Sequence, residues 1–332
     1  MTIIIALLVF LVVILFHEFG HFAAAKRVGI RVLEFSVGMG PALLQKQKGE
    51  TMYSLRAFPL GGYCAMEGED DESDDEASFM HAKPWQRFVT ILAGPMMNFI
   101  IAYLCFMLFL GFQGIPVPVV ESFPQSSPAR EAGLLAGDRI TAINGETVQG
   151  SEQLQALVQK YGQKNKPLQV TVLRDNTSQT FGVRPNHEQG KALIGISMAR
   201  KTDFLAAVGA AWSMLWNTFF SLFGILQKLI TGTLSINALS GPIGVVSMIG
   251  KAAQQGWMNV LFFTGYISLN LGFFNILPIP ALDGFTLWLV VLEKLRGKPL
   301  SQKVESGIKI AGFALLMGLI LFVSFKDVLR LI

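Results

Sequence analysis

The 332-residue chain is short of charge: 15% of its residues are Asp, Glu, Lys or Arg, against roughly 25% in a soluble domain. With 52% apolar residues and a mean hydropathy of +0.48, that shortage excludes an ordinary soluble enzyme and a disordered tail. Cysteine is scarcer still. Cys64 and Cys105 are the only two, and Cys105 lies inside an apolar run, so a disulfide-stapled scaffold is excluded as well. The net charge of +4 hides an uneven distribution, because residues 67–76 (EGEDDESDDE) hold eight of the 23 acidic side chains. Elsewhere 27 basic residues face the remaining 15 acidic ones, a balance of +12. A basic, apolar chain with one acidic patch points to a protein embedded in a lipid bilayer, with no nucleic-acid partner.

A helix that crosses a bilayer needs about 20 mostly apolar residues, because its backbone must satisfy itself. Five stretches approach that standard. Residues 3–16 are uninterrupted apolar and continue to Ala25 with only His17, Glu18 and His21 as ionisable groups. Residues 88–112, 204–227 and 310–325 carry no charge, and 257–292 carries one, Asp283. The first stretch has no basic segment before it, and Lys26 and Arg27 follow it, so it reads as a retained helix and not a signal peptide.

Between Gln113 and Arg200 the composition becomes that of a small soluble domain. Val117–Val120 reads as a strand, Ala129–Leu135 as a short helix, and Asn144-Gly145 as a tight turn between strand-like halves. Leu154, Leu157, Val158 and Tyr161 share one helical face behind Ser151, and a second turn is expected at Asp175-Asn176. The pattern predicts a half-open β barrel with two helices.

The chemistry begins with His17-Glu18-Phe19-Gly20-His21, an H-E-x-x-H motif. Residues four apart share a helical face, so both imidazoles can reach one zinc while Glu18 stands beside its water as general base. Three ionisable side chains inside a membrane helix are costly without a function. A catalytic zinc takes three protein ligands, and Asp283, the lone charge of its stretch, supplies the third. It lies in Asn275-Ile-Leu-Pro-Ile-Pro-Ala-Leu-Asp-Gly284, where Pro278 and Pro280 break the helix and turn Asp283 inward.

With these motifs on two separate apolar stretches, the sequence resembles the site-2 protease family. Phe35-Ser-Val-Gly-Met-Gly-Pro41, Pro59-Leu-Gly-Gly-Tyr63, Ala93-Gly-Pro-Met-Met-Asn98 and Leu239-Ser-Gly-Pro-Ile243 resemble family segments too. Gly133 to Val148 (GLLAGDRITAINGETV) resembles the core of a circularly permuted PDZ domain. Together they resemble the bacterial RseP-type regulators over nearly the whole chain, with room for one PDZ domain where several members carry two. The resemblance implies a zinc intramembrane endopeptidase of the bacterial inner membrane that cuts single-span membrane proteins, such as trimmed anti-sigma factors or signal-peptide remnants. It implies zinc on His17, His21 and Asp283, Glu18 as the base, and Asn275 engaging the substrate backbone. The PDZ-like domain either binds a peptide or protein or simply covers the site.

The expected fold is thus a polytopic α-helical membrane protein with membrane-associated β segments and an inserted PDZ-like α+β domain. Residues 1–112 and 257–332 form the two halves of the core, 113–200 the inserted domain and 201–256 an interfacial helical region. His17 and Asp283 lie towards the C-terminal ends of their stretches, so those helices must run the same way to share a metal. Basic residues after each, Lys26/Arg27 and Lys294/Arg296/Lys298, place those ends in the cytoplasm. Both constraints predict four crossings, with 204–227 on or dipping into the outer leaflet, the inserted domain outside and the site towards the cytoplasm. Residues 28–87 then lie near the site, with strands expected at Arg31–Val37 and Met52–Phe58. In the family such segments pair with an unwound substrate; a loop covering the metal is the alternative. The acidic run lacks calcium-loop spacing and reads as a solvated loop. Gly94-Pro95 and Asn98 shape the second helix for the site or simply kink and pack it. A PDZ-bearing scaffold with an idle metal site and a transporter are the rival functions; no inverted repeat favours the latter.

Overall fold

The computed structural model describes residues 1–331 apart from 70–72, 163–165, 189–190, 234–239 and 299, so part of the acidic run and Leu239 of the Leu239–Ile243 segment lie outside the described residues. Two compact units emerge: Leu110–Ala210, and the remainder of the chain.

The larger unit is built on α1 (Thr2–Val28), which ends where Gly29 adopts a left-handed cap and returns its N–H to Ala25, with Lys26 and Arg27 completing the last turn. Ala6, Val9, Val13, His17, Gly20, His21 and Ala24 are buried at three- and four-residue spacing, so both histidines sit on the packed stripe. Leu8, Val12, Phe16 and Phe19 on other faces stay exposed, a band of apolar surface that only lipid or a partner would tolerate.

Two bent strands follow, β1 (Val32–Lys48) and β2 (Thr51–Met66). The first part of β1 pairs on both sides: Phe35 faces Cys64 on one flank and Tyr53 on the other, while Gln45 pairs with Ser54. Four extended segments result where the sequence suggested two. Residues 42–48 show no apolar-polar alternation and 61–66 open on two glycines, while Gly38 and Gly61, both at positive φ, permit the bends. A polar clamp fixes three of the segments. Arg56 donates to Glu34 (2.7 Å) and Tyr63 (2.5 Å), Tyr63 donates to Glu34 (2.5 Å), and Ser54 also donates to Glu34. Burial and the Glu34 carboxylate push the Tyr63 hydroxyl up to about 12, so it remains a donor.

α2 (Pro84–Gln113) runs antiparallel to α1: Thr90 and Gly94 lie beside His21, and Asn98 beside His17. α6 (Pro242–Gln255) and α7 (Trp257–Phe274) form a hairpin around Gly256. A cavity of about 450 Å³ lined by Ile5, Trp257 and Val260 marks where α7 begins, and Asn275 at its end meets His17, so α1 and α7 run in the same direction. The expected break then separates α7 from α8 (Asp283–Arg296), and Gly312 on α9 (Gln302–Leu331) packs on Pro280 of that break.

Among the described residues, five helices are long and apolar enough to cross a membrane. The third of them is α5 (Phe204–Ile230), expected on or dipping into the outer leaflet. From Trp212 onward it lies in the larger unit, with Trp212 against Tyr103 and Phe219 against both Phe99 and Phe273. Its aromatic ladder follows α2 as far as the end of α7, because Trp and Phe every three or four residues gain more by stacking on other rings than by lying flat.

In the smaller unit a sheet runs, in spatial order, through Ser197–Lys201, Ile115–Ser122, Arg139–Ile143, Leu168–Arg174 and Thr177–Val183. The two expected turns are present, with Asn144, Gly145, Asp175 and Asn176 all at positive φ. Beyond the single turn α3 (Pro128–Glu131), helix α4 (Ser151–Gly162) buries Leu154, Leu157 and Val158 against Ile140, Val170 and Val172. Under this core, Asp138 is 1% exposed and held by both arms of Arg174 at 2.7 Å and by the Leu135 N–H.

Candidate metal centre

Two helices and one broken segment converge on a single point. His17 and His21 project from successive turns of α1, with their Nε2 atoms 3.3 Å apart. Asp283, the first residue of α8, places Oδ2 2.9 Å from His17 Nε2 and 3.4 Å from His21 Nε2. These three residues are the one cluster of potential metal-binding side chains among the described residues. Tetrahedral zinc with ligand bonds of about 2.0–2.1 Å sets its ligand atoms about 3.3 Å apart, so the observed spacings are those of three corners of such a site. Asp283 Oδ2 is buried with no hydrogen-bond partner. A buried carboxylate oxygen left unpaired between two imidazole nitrogens is costly unless a cation completes it, and the N, N, O donor set suits zinc.

The local backbone explains the approach. Gly94 lets α2 pass against His21, since a Cβ there would lie 2.2 Å from His21 Nε2. Gly284 serves the broken segment likewise: a Cβ would meet the Leu277 carbonyl at 2.0 Å, so the turn that delivers Asp283 closes only around glycine. The carbonyl of Ile276 in the break accepts from Trp288 Nε1 at 3.0 Å, and Arg87 of α2 anchors Glu293 of α8 at 2.6 Å.

His21 Nδ1 lies 2.9 Å from the Thr90 carbonyl. A carbonyl only accepts, so Nδ1 carries the proton and Nε2 is bare towards the cluster. Asn275 is buried with its amide 3.3 Å from His17 Nε2. Glu18, partly buried, interacts electrostatically with His21, His17 and Asp283 and meets the main chain of Cys64 in β2, which brings an extended edge to the centre.

The profile of peptidase family M50 matches residues 5–319. The chain belongs to peptidase family M50. A protein of Clostridium perfringens named as a zinc metalloprotease is 35% identical over 336 residues, covering 99% of both chains. The regulator of sigma-W protease RasP of Bacillus subtilis is 30% identical over 418 residues, again 99% of each, and the zinc metalloprotease RasP of Bacillus licheniformis is 31% identical over 417. Among solved structures, a PDZ domain of HtrA3 bound to a phage-derived ligand covers 21% of this chain and 79% of its own, at 23% identity and a TM-score of 0.18, too slight a likeness to carry an argument. Family M50 membership makes this chain a zinc-dependent site-2 type metalloprotease embedded in the membrane, working in regulated intramembrane proteolysis.

His17, Glu18, His21, Asn275 and Asp283 all come together at this point. The other histidines lie elsewhere: His81 bonds Ser78, and His187 bonds the Gly162 carbonyl. Sequence reasoning gave no role in the site to Thr90 or Ser268, and left Asn98 between shaping and packing. The available signal was that all three are polar residues inside strongly apolar runs.

Proposed function

We propose that His17, His21 and Asp283 hold the catalytic zinc, that Glu18 is the general base, and that Asn275 orients the substrate backbone. The observation that carries this reading is the convergence of His17 Nε2, His21 Nε2 and Asp283 Oδ2 at separations of 2.9 to 3.4 Å. Zinc bound there supplies an activated water at neutral pH and polarises the scissile carbonyl. Glu18 takes the proton of the attacking water and delivers it to the departing amide nitrogen. Asn275, at the foot of α7, offers its amide to the substrate main chain beside the reacting carbonyl. A transmembrane helix hides its carbonyls, so the substrate must unwind, and the 61–66 segment of β2 beside Glu18 offers an edge on which the unwound chain is held extended.

The substrates proposed are single-span proteins in the class of trimmed anti-sigma factors, in keeping with the sigma-W regulator among the relatives, or signal-peptide remnants. The location is the bacterial inner membrane, with the site towards the cytoplasm and residues 113–200, as a PDZ-like domain, outside, open to a peptide or protein ligand. Parallel α1 and α7 support that topology. α5 and α6 then act together as a re-entrant pair, α5 descending beside α2 to the depth of Phe273 and α6 returning, so that four full crossings remain. Thiol labelling of a cysteine placed at Thr233 tests this: reagents reaching it only from the cytoplasm would make α5 a full crossing and overturn the topology.

The decisive test of the chemistry is Glu18→Gln in the full chain with a model transmembrane substrate. Zinc stays bound and cleavage stops; persisting cleavage removes Glu18 from the mechanism.

A further inference from the structure

Asn98 of α2 is fully buried, and its side chain stands between His17 and Ser268. Its amide nitrogen lies 3.0 Å from His17 Nδ1. Ser268 of α7 donates its hydroxyl proton to the Asn98 main-chain carbonyl at 2.9 Å, and its oxygen lies 3.4 Å from the Asn98 amide oxygen.

The proton inventory does not close in that arrangement once His17 is a ligand. An imidazole that binds a metal through Nε2 is neutral and keeps its one proton on Nδ1. His17 Nε2 is the atom turned towards Asp283 and His21. Nδ1 is then a donor, and the amide nitrogen facing it is a donor too. A half-turn about the Asn98 Cβ–Cγ bond exchanges amide oxygen and nitrogen with almost no change in shape. Turned so, the amide oxygen accepts from His17 Nδ1, and the amide nitrogen donates to the Ser268 oxygen, whose own proton is already committed to the Asn98 carbonyl. The Nδ1 proton of His17 then has an acceptor, and no donor faces a donor between His17, Asn98 and Ser268. The Thr90 carbonyl does for His21 what the amide oxygen does for His17.

We infer that Asn98 is a positioning residue for zinc: its amide oxygen, oriented by Ser268, holds His17 in the tautomer that leaves Nε2 free. The inference rests on the assignment of His17 as a ligand.

The test is zinc affinity of the purified full chain by chelator competition, with the visible spectrum of the cobalt-substituted protein as a second readout. Asn98→Leu is expected to weaken zinc by about 10–100-fold, the cost of losing an outer-shell partner of a ligating histidine. Asn98→Asp, which can only accept, is expected to hold zinc within about threefold of the parent, and Ser268→Ala to lose less than about tenfold. A purely packing role would let Asn98→Leu bind zinc normally, and a donor role would make Asn98→Asp as damaging as Asn98→Leu; either result overturns the inference. Should Asn98→Leu fail to accumulate, Asn98→Asp decides alone: retained zinc with an unchanged cobalt spectrum supports it, and lost zinc overturns it. His17→Ala separates the levels, since zinc retained there sinks the ligand assignment itself, whereas zinc lost there but kept in Asn98→Leu sinks only the role of Asn98.

Discussion

Two aspartates are held in this protein in opposite ways. Asp138, in the unit Leu110–Ala210, receives two hydrogen bonds from Arg174 and one from the Leu135 N–H, so its charge is answered within the chain. Asp283, in the membrane unit, points an oxygen at two imidazole nitrogens and receives no such answer. A carboxylate satisfied by an arginine fork fixes a fold; one left open among bare nitrogens is made for something the chain does not encode. The contrast distinguishes a structural charge from a chemical one without reference to any relative.

That contrast can be broken experimentally. The largest effect is expected at Asp283→Ala, which removes a ligand and takes stoichiometric zinc and all cleavage with it, while leaving residues 110–210 folded; elemental analysis beside hydrogen exchange reads both. Next is Gly94→Ala, which alters no polar group. Its methyl would overlap His21 Nε2, and zinc affinity by chelator competition should fall on the order of 100-fold, the upper end of what displaced supporting groups cost. An unchanged affinity would show that α2 can yield without disturbing the histidine. The smallest effect on the chemistry is expected at Arg174→Met. It strands Asp138 and destabilises the smaller unit by about 3 kcal/mol, read as faster exchange at Ile140 and Val172, with zinc content unaltered.

The same aspartate gives a pH signature. Arg174 holds the Asp138 carboxyl below its ordinary range, so the pair stabilises its unit at neutral pH. That contribution fades as pH falls below about 4, through the folded-state value. Exchange protection in 110–210 should drop in that window for the parent and change far less for Arg174→Met.

Much of this was legible beforehand because it is local. The H-E-x-x-H spacing, the prolines around Asp283 and the turns at Asn144-Gly145 and Asp175-Asn176 carry their geometry in a few adjacent residues. The direction of α7 was also accessible, since a shared metal demands it. What escaped were meetings across long separations: Asn98 with His17, Gly94 with His21, and the ladder from Trp212 to Phe273. Hydropathy measured α5 well but carries no information on which rings it meets. The outer β segments were missed for another reason: 61–66 opens on two glycines, which contribute no side chain for alternation to register, and the run ALLQKQK at 42–48 does not alternate.

The clamp of Glu34, Arg56 and Tyr63 bears on where a substrate would be cut. By tying three extended segments together it denies the 61–66 edge any freedom to slide. A chain added to that edge can change its alignment only by two residues, because a shift of one would turn every side chain to the opposite face. Minor products should therefore differ from the main one by an even number of residues, a rhythm that mass spectrometry of the released fragments would reveal at once.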